Sequence, residues 1–222
     1  IFGLSMTVAM AIGPAMAIML SMKLGYNALF YTATAFCVLG FVLVLFIRMP
    51  KVKHSRRPFS IERLINRGTM PVAQNVLLTQ IPYGGIVSFA ALYGRNVGVE
   101  NSGTFFIILS IGILASRVIS GRVFDRVGPR NVVVMGILLV FFGLINIGLF
   151  PSPLGFHISA LILGVGFGII SPTFQAMANA KIAPADRGAV NSTYLTFFDS
   201  GVGIGMLLFG LLFALIGYAN TF

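Results

Sequence analysis

Seven apolar runs, each close to the length of a bilayer-crossing helix, dominate this sequence. They cover roughly residues 2–22, 28–49, 70–94, 102–120, 131–150, 154–179 and 189–217. A helix needs about 20 mainly apolar residues to cross about 30 Å of hydrocarbon. Backbone polar groups in lipid must be satisfied internally, so such runs form either helices or the strands of a closed barrel. Barrel strands are short, about ten residues, and alternate in polarity; these runs do neither. The expectation is an all-α, polytopic membrane bundle. Only 9% of residues are charged, well below the roughly 25% of soluble domains.

The interruptions between runs are Lys23–Asn27, Arg48–Arg67, Arg95–Asn101, Gly121–Arg130, Pro151–Pro153 and Ile182–Gly188. Every second one is basic. Arg48, Lys51, Lys53, Arg56, Arg57, Arg63 and Arg67 flank the second, Arg117, Arg122, Arg126 and Arg130 the fourth, and Lys181 and Arg187 the sixth. The other loops hold only Lys23 and Arg95, so 13 of 15 basic residues lie on one side. The positive-inside rule makes that side cytoplasmic. A net charge of +10 therefore signals topology, and no nucleic-acid partner is expected. Cys37 is the one cysteine; it allows no internal disulfide and is expected to be a small buried hydrophobe. No Met starts the chain and no signal peptide is visible, so the sequence is expected to begin inside or just before a helix.

In the long basic interruption, Pro58 breaks the chain and Ser60 suits a helix cap. Ile61, Leu64 and Ile65 then share one face, with Glu62, Arg63 and Arg67 elsewhere and Gly68 at the end. This pattern predicts a short amphipathic helix on the cytoplasmic leaflet. An internal repeat adds to the architecture. Shifted by 192 residues, Ile12, Gly13, Leu20, Gly25, Tyr26 and Phe30 fall on Ile204, Gly205, Leu212, Gly217, Tyr218 and Phe222. The first and seventh runs thus correspond, as in a six-helix unit repeated in parallel. The expected division is 1–49 for the end of a first half, 50–69 for a linker, and 70–222 for a second half lacking its last helix. About four spans are expected before Ile1 and one after Phe222.

The stretch Gly121-Arg122-Val123-Phe124-Asp125-Arg126-Val127-Gly128-Pro129-Arg130 packs four charges between two apolar runs. It is expected to be a tight loop at the membrane surface. Through Gly121, Asp125, Arg126, Gly128 and Arg130 it resembles the loop signature Gly-x-x-x-Asp-Arg-x-Gly-Arg-Arg of the major facilitator superfamily. Pro129 departs from it. With the repeat and the basic linker, it resembles the second of the family's two copies, between helices eight and nine. The chain would then cover helices five to eleven of two pseudo-symmetric six-helix halves. The segment Ala9–Ala17, with Gly13 and Pro14, is similar to the helix-five signature Gly-x-x-x-Gly-Pro-x-x-Gly of proton-coupled drug antiporters, with alanines for the outer glycines. The resemblance implies conformational or gating roles for Gly13, Pro14, Gly121, Asp125, Arg126, Gly128 and Arg130. In particular, charge pairs of Asp125 would hold the cytoplasmic side closed in one state. Arg122 is explained by topology.

Asp199 is the one acidic residue inside a run, ten residues past Ala189. That puts it about 15 Å deep. An ionised carboxylate there is costly, so coupling of its protonation to conformation is expected. Ser192, Thr196, Asp199 and Gly203 share its helix face. In the third run, Pro82, Gly84 and Gly85 predict a bend or break, with Gln80 and Tyr83 towards a cavity. Arg95 and Glu100 are expected to pair across the outer loop. Gly164-Val165-Gly166-Phe167-Gly168 and Gly201-Val202-Gly203-Ile204-Gly205 look like halves of a dinucleotide fingerprint, but inside apolar runs they mark helix packing. Gln80, Tyr83, Gln175 and Tyr194 are the expected substrate contacts, and Asp199 the proton-linked group.

No nucleophile has a base partner, His54 and His157 stand apart, and no cluster has metal-ligand spacing. No phosphate-binding loop is present. The expectation is a non-enzymatic secondary transporter of a small molecule, without cofactor or metal, working by alternating access on a proton gradient and most readily an exporter. Its setting would be a bacterial plasma membrane, with no obligate protein partner. The alternatives are a proton-coupled importer and a non-transporting assembly or sensor protein of the same fold.

Overall fold

A computed structural model describes residues 2–47, 65–180, 182 and 186–216. Within them the chain forms six helical elements: α1 (Phe2–Leu45), α2 (Met70–Asn96), α3 (Thr104–Val127), α4 (Pro129–Leu149), α5 (Pro153–Asn179) and α6 (Arg187–Ile216). Met16–Leu45, Arg67–Asn96, Pro129–Leu149, Pro153–Asn179 and Arg187–Leu215 are each long and apolar enough to cross a bilayer. The protein is an integral membrane helical bundle. The expected amphipathic linker helix lies almost wholly in 48–64, outside the described residues. Gly68 belongs instead to a 3-10 turn, Arg67–Thr69, capped by Asn66, whose Oδ1 accepts from Thr69 N at 3.1 Å.

The first two expected spans run on as α1, with one non-helical residue, Gly25, at φ 80° and ψ 173°. A corner with nearly the same angles, Gly128 at φ 80° and ψ 159°, separates α3 from α4. Positive φ favours glycine, and Pro129 opens the next helix where its missing N–H costs nothing. The charged stretch 121–130 is therefore not the expected loop. Its first seven residues continue α3, and the turn is Gly128 alone. Charge marks where hydrocarbon ends, whereas the helix runs on until a residue breaks it.

α5 is the central helix and touches α2, α3, α4 and α6. Its glycines divide the work. A Cβ on Gly164 or Gly168 would strike α3, at Leu109 or at Ser116 and Ile113. On Gly166 it would meet Val140 and Gly136 of α4. Packing of this kind replaces the hydrophobic drive that lipid removes. Near the outer ends, Phe105, Phe156 and Tyr93 form a buried aromatic cluster, and the Tyr93 hydroxyl donates to Ile147 C=O at 2.6 Å. His157 is part of this outer packing. Its Nδ1–H donates to Pro153 C=O at 2.6 Å, and its Nε2 lies 2.8 Å from Thr104 Oγ1, tying α5 to α3.

Other faces stay open to lipid. α4 presents Val134, Leu138, Phe141 and Phe142. Residues 26–45 of α1 expose nearly every side chain, Cys37 included. Cys37 is thus exposed and not the buried hydrophobe expected, because among the described residues no helix packs over this arm of α1.

Candidate functional site

α2 and α6 run parallel in fixed register. A Cβ on Gly201 would collide with the Leu77 carbonyl, on Gly205 with the Ile81 carbonyl, and on Gly84 with the Val202 carbonyl. Phe209 fills the space beside Gly85, and one turn on Phe213 meets Phe89, ring centroids 4.5 Å apart. α2 passes through Pro82 without a break. Gly84 and Gly85 serve close approach to α6 rather than a broken helix. Gln80 and Tyr83 are shut in as a result. Gln80 is 4% exposed, beside Gly201. Tyr83 meets Phe167 of α5 edge-on, centroids 5.1 Å apart.

The far side of α6 differs. Thr196 and Asp199 are exposed, and Ser192 and Gly203 partly so. The expected polar stripe exists, and it faces away from α2. Gly201 meets the Leu77 carbonyl and Gln80 Cβ, and Gly84 meets Val202, so Asp199 lies roughly level with Leu77. The first two turns of α6 project past the start of α2, where Asn66 N donates to Thr193 Oγ1 at 2.9 Å.

Tyr194 and Gln175 converge on one region. The Tyr194 hydroxyl donates to Ser171 C=O of α5 at 3.1 Å. Gln175 is half-buried one turn further along α5, and its backbone carbonyl accepts from Asn179 Nδ2 at 2.9 Å. A third helix enters here. Arg117 of α3 is half-buried and within electrostatic reach of Tyr194. Its charge reads from sequence as a topology signal, because the apolar run ends near residue 120. Counted from the true end, Val127, it is an arginine inside a helix.

The structure does not bring all five expected site residues together. Tyr194 and Gln175 share a region, Gln80 and Tyr83 are packed inside the bundle, and Asp199 faces outward. Of the expected gate, Gly128 forms the corner and Arg126 and Arg130 are exposed. The side chains of Gly121-to-Asp125 neighbours 121, 122, 124 and 125 lie outside the described residues, as does that of Pro14. Gly13 has nothing within 4 Å of where a Cβ would stand. At the outer surface, Arg95 and Glu100 share a shallow pocket of ≈ 390 Å³ with Met22, Gly98 and Val99. The two side chains are exposed and form no ion pair with each other, unlike the expected bridge. Among the described residues no group of three His, Cys, Asp or Glu side chains converges as metal ligands would.

Comparison with known proteins gives a consistent result. The family model described as Major Facilitator Superfamily matches residues 1–206. An uncharacterized MFS-type transporter of Burkholderia mallei (strain SAVP1) is 26% identical over 214 residues, covering 96% of this chain and 52% of its own length. The same figures hold for one from Burkholderia pseudomallei (strain K96243). The uncharacterized MFS-type transporter YhhS of Salmonella paratyphi C (strain RKS4594) is 24% identical over 210 residues, 94% of this chain and 51% of its own. The chain spans about half the length of these curated relatives.

Proposed function

The chain belongs to the major facilitator superfamily, and we propose that it serves in a secondary transporter that exports a small molecule across a bacterial plasma membrane. Transport proceeds by alternating access and is driven by protons. The observation that carries this reading is the polar stripe of α6. Ser192, Thr196 and Asp199 line one face of α6 that turns away from α2, and Thr196 and Asp199 are exposed on it. A carboxylate kept on a lipid-facing surface would be costly, whereas one facing an aqueous path can exchange protons. Asp199 is the proton-linked group and Gln175 and Tyr194 contact the solute. Gln80 and Tyr83 form the packed wall behind them, holding α2 against α5 and α6. The Gly128 corner and the charges around it, Asp125, Arg126 and Arg130, form the cytoplasmic gate.

Proteoliposomes carrying the full-length protein test this directly. An imposed pH gradient is expected to drive flux of at least one solute from a broad panel, and Asp199→Asn is expected to uncouple it. Asp199 is not the coupling group if the variant transports with an unchanged pH dependence. Absence of flux for every solute removes the transporter assignment itself.

A further inference from the structure

The pocket at the outer mouth holds two opposite charges that do not meet. Arg95 lies in the last turn of α2, and Glu100 stands just before α3 begins at Thr104. Each charge suits its own helix end, a cation at a C-terminus and an acid before an N-terminus. The segment between them is built rather than loose. Val99 N donates to Gly94 C=O at 2.9 Å and Gly98 N to Arg95 C=O at 3.2 Å, with Gly98 at φ 83°. This is a glycine-dependent cap of the kind that ends many helices, and it buries Val99. On the far side Asn101 Oδ1 accepts from Gly103 N at 3.2 Å. The loop thus presents a guanidinium and a carboxylate as two separate charges on one pocket, with Met22 and Val99 as the apolar part of its lining.

The apolar part continues towards the hydrocarbon. α1 packs on α3 and has no comparable contact with α2, so a cleft runs between α1 and α2 below the pocket. One turn deeper, Met19 of α1 and Leu92 of α2 are both exposed. Two opposite charges at the membrane surface, above an open apolar cleft, fit an amphiphile that carries both signs in its headgroup.

We propose that this pocket binds a membrane phospholipid whose headgroup joins a phosphate to a primary ammonium, with Arg95 on the phosphate and Glu100 on the ammonium. The acyl chains follow the cleft past Met19 and Leu92. The guanidinium fork matches two phosphate oxygens. A primary ammonium offers Glu100 three N–H donors, whereas a quaternary one offers none and a glycerol headgroup carries no positive charge. The site therefore selects phosphatidylethanolamine over phosphatidylcholine and phosphatidylglycerol. It is separate from the polar stripe of α6, and its occupation does not depend on the transporter reading.

The test uses the full-length protein, delipidated in detergent, with short-chain (dihexanoyl) forms of these three lipids. Phosphatidylethanolamine is expected to raise the melting temperature saturably, and at lower concentration than the other two. Arg95 and Glu100 are exposed, so Arg95→Gln and Glu100→Gln should fold as the parent does. Glu100→Gln should weaken phosphatidylethanolamine binding about threefold, the scale of an exposed charge pair, and bring it level with phosphatidylcholine. Arg95→Gln should weaken all three, since all carry the phosphate. Chainless phosphoethanolamine should protect far less than the lipid, because the chains supply the apolar contact. The site is overturned if the three lipids protect the parent equally, if phosphatidylglycerol protects best, or if either variant binds phosphatidylethanolamine as the parent does. Protection by phosphoethanolamine equal to that by the lipid also overturns it, and makes the occupant a soluble zwitterion.

Discussion

α1 and α6 carry the same Ile-Gly pair, Ile12-Gly13 and Ile204-Gly205, at positions related by the internal repeat, and the two glycines have opposite surroundings. Gly205 is pressed against the backbone of Ile81, whereas Gly13 has nothing within 4 Å. Both isoleucines are exposed, at 50% and 39%, so the glycine face alone distinguishes the two helices. A glycine in an apolar helix is only an opportunity for close approach. α6 realises it because α2 runs beside it for four turns. The first arm of α1 meets α3 near its outer end, where Ile18 approaches Gly103, and leaves Gly13 uncovered. Under the proposed repeat, a helix equivalent to α2 would cover Gly13.

The strongest way to break this comparison is Gly205→Leu. The side chain would enter the Ile81 backbone, which cannot rotate away, so a loss of about 3 kcal/mol is expected, the upper end for overpacking. Thermal or denaturant unfolding in detergent measures it. A smaller effect tests whether the two corners are alike. Gly25→Ala and Gly128→Ala should each cost about 1–3 kcal/mol, the penalty for a side chain at positive φ with extended ψ, a region essentially reserved for glycine, since the two have φ 80° with ψ 173° and 159°. Unequal costs would show that one corner can relax. The smallest effect is the most telling. In this chain Gly13→Leu should lie within about 0.5 kcal/mol of the parent, like other open surface sites. In the full-length protein it should approach the cost of Gly205→Leu. Equal, negligible effects in both settings would end the argument from the repeat.

The spans were legible because hydrocarbon imposes one requirement, apolar length, that composition alone displays. Their ends were less so. Nothing in the hydropathy of 121–127 says that α3 continues through it, and only the Gly128-Pro129 pair marks the stop. Pro82 reads as a break in isolation, but α6 packs along α2 on both sides of it and the helix stays whole. The Gly-x-Gly-x-Gly runs were readable as packing surfaces. Which glycine faces which helix was not, since 100° per residue sends Gly164 and Gly168 to α3 and Gly166 to α4. At the candidate site, residue type was informative and position was not. Asp199 stood out as the lone acid inside an apolar run, yet which way it faces depends on which side of α6 packs on α2. Arg117 was hidden among arginines that do set topology, because its distance from the helix end depends on where that end is.

The bond from Asn66 N to Thr193 Oγ1 joins the last residues of the linker to the second turn of α6. Mechanically, α2 and α6 share one anchor at the point where the chain arrives from the first half. A pull transmitted along the linker does not tug on α2 alone; it loads a two-helix beam, locked along its length by Gly201 and Gly205. The outward stripe of Ser192, Thr196 and Asp199 is mounted on that beam and moves with it as one lever arm.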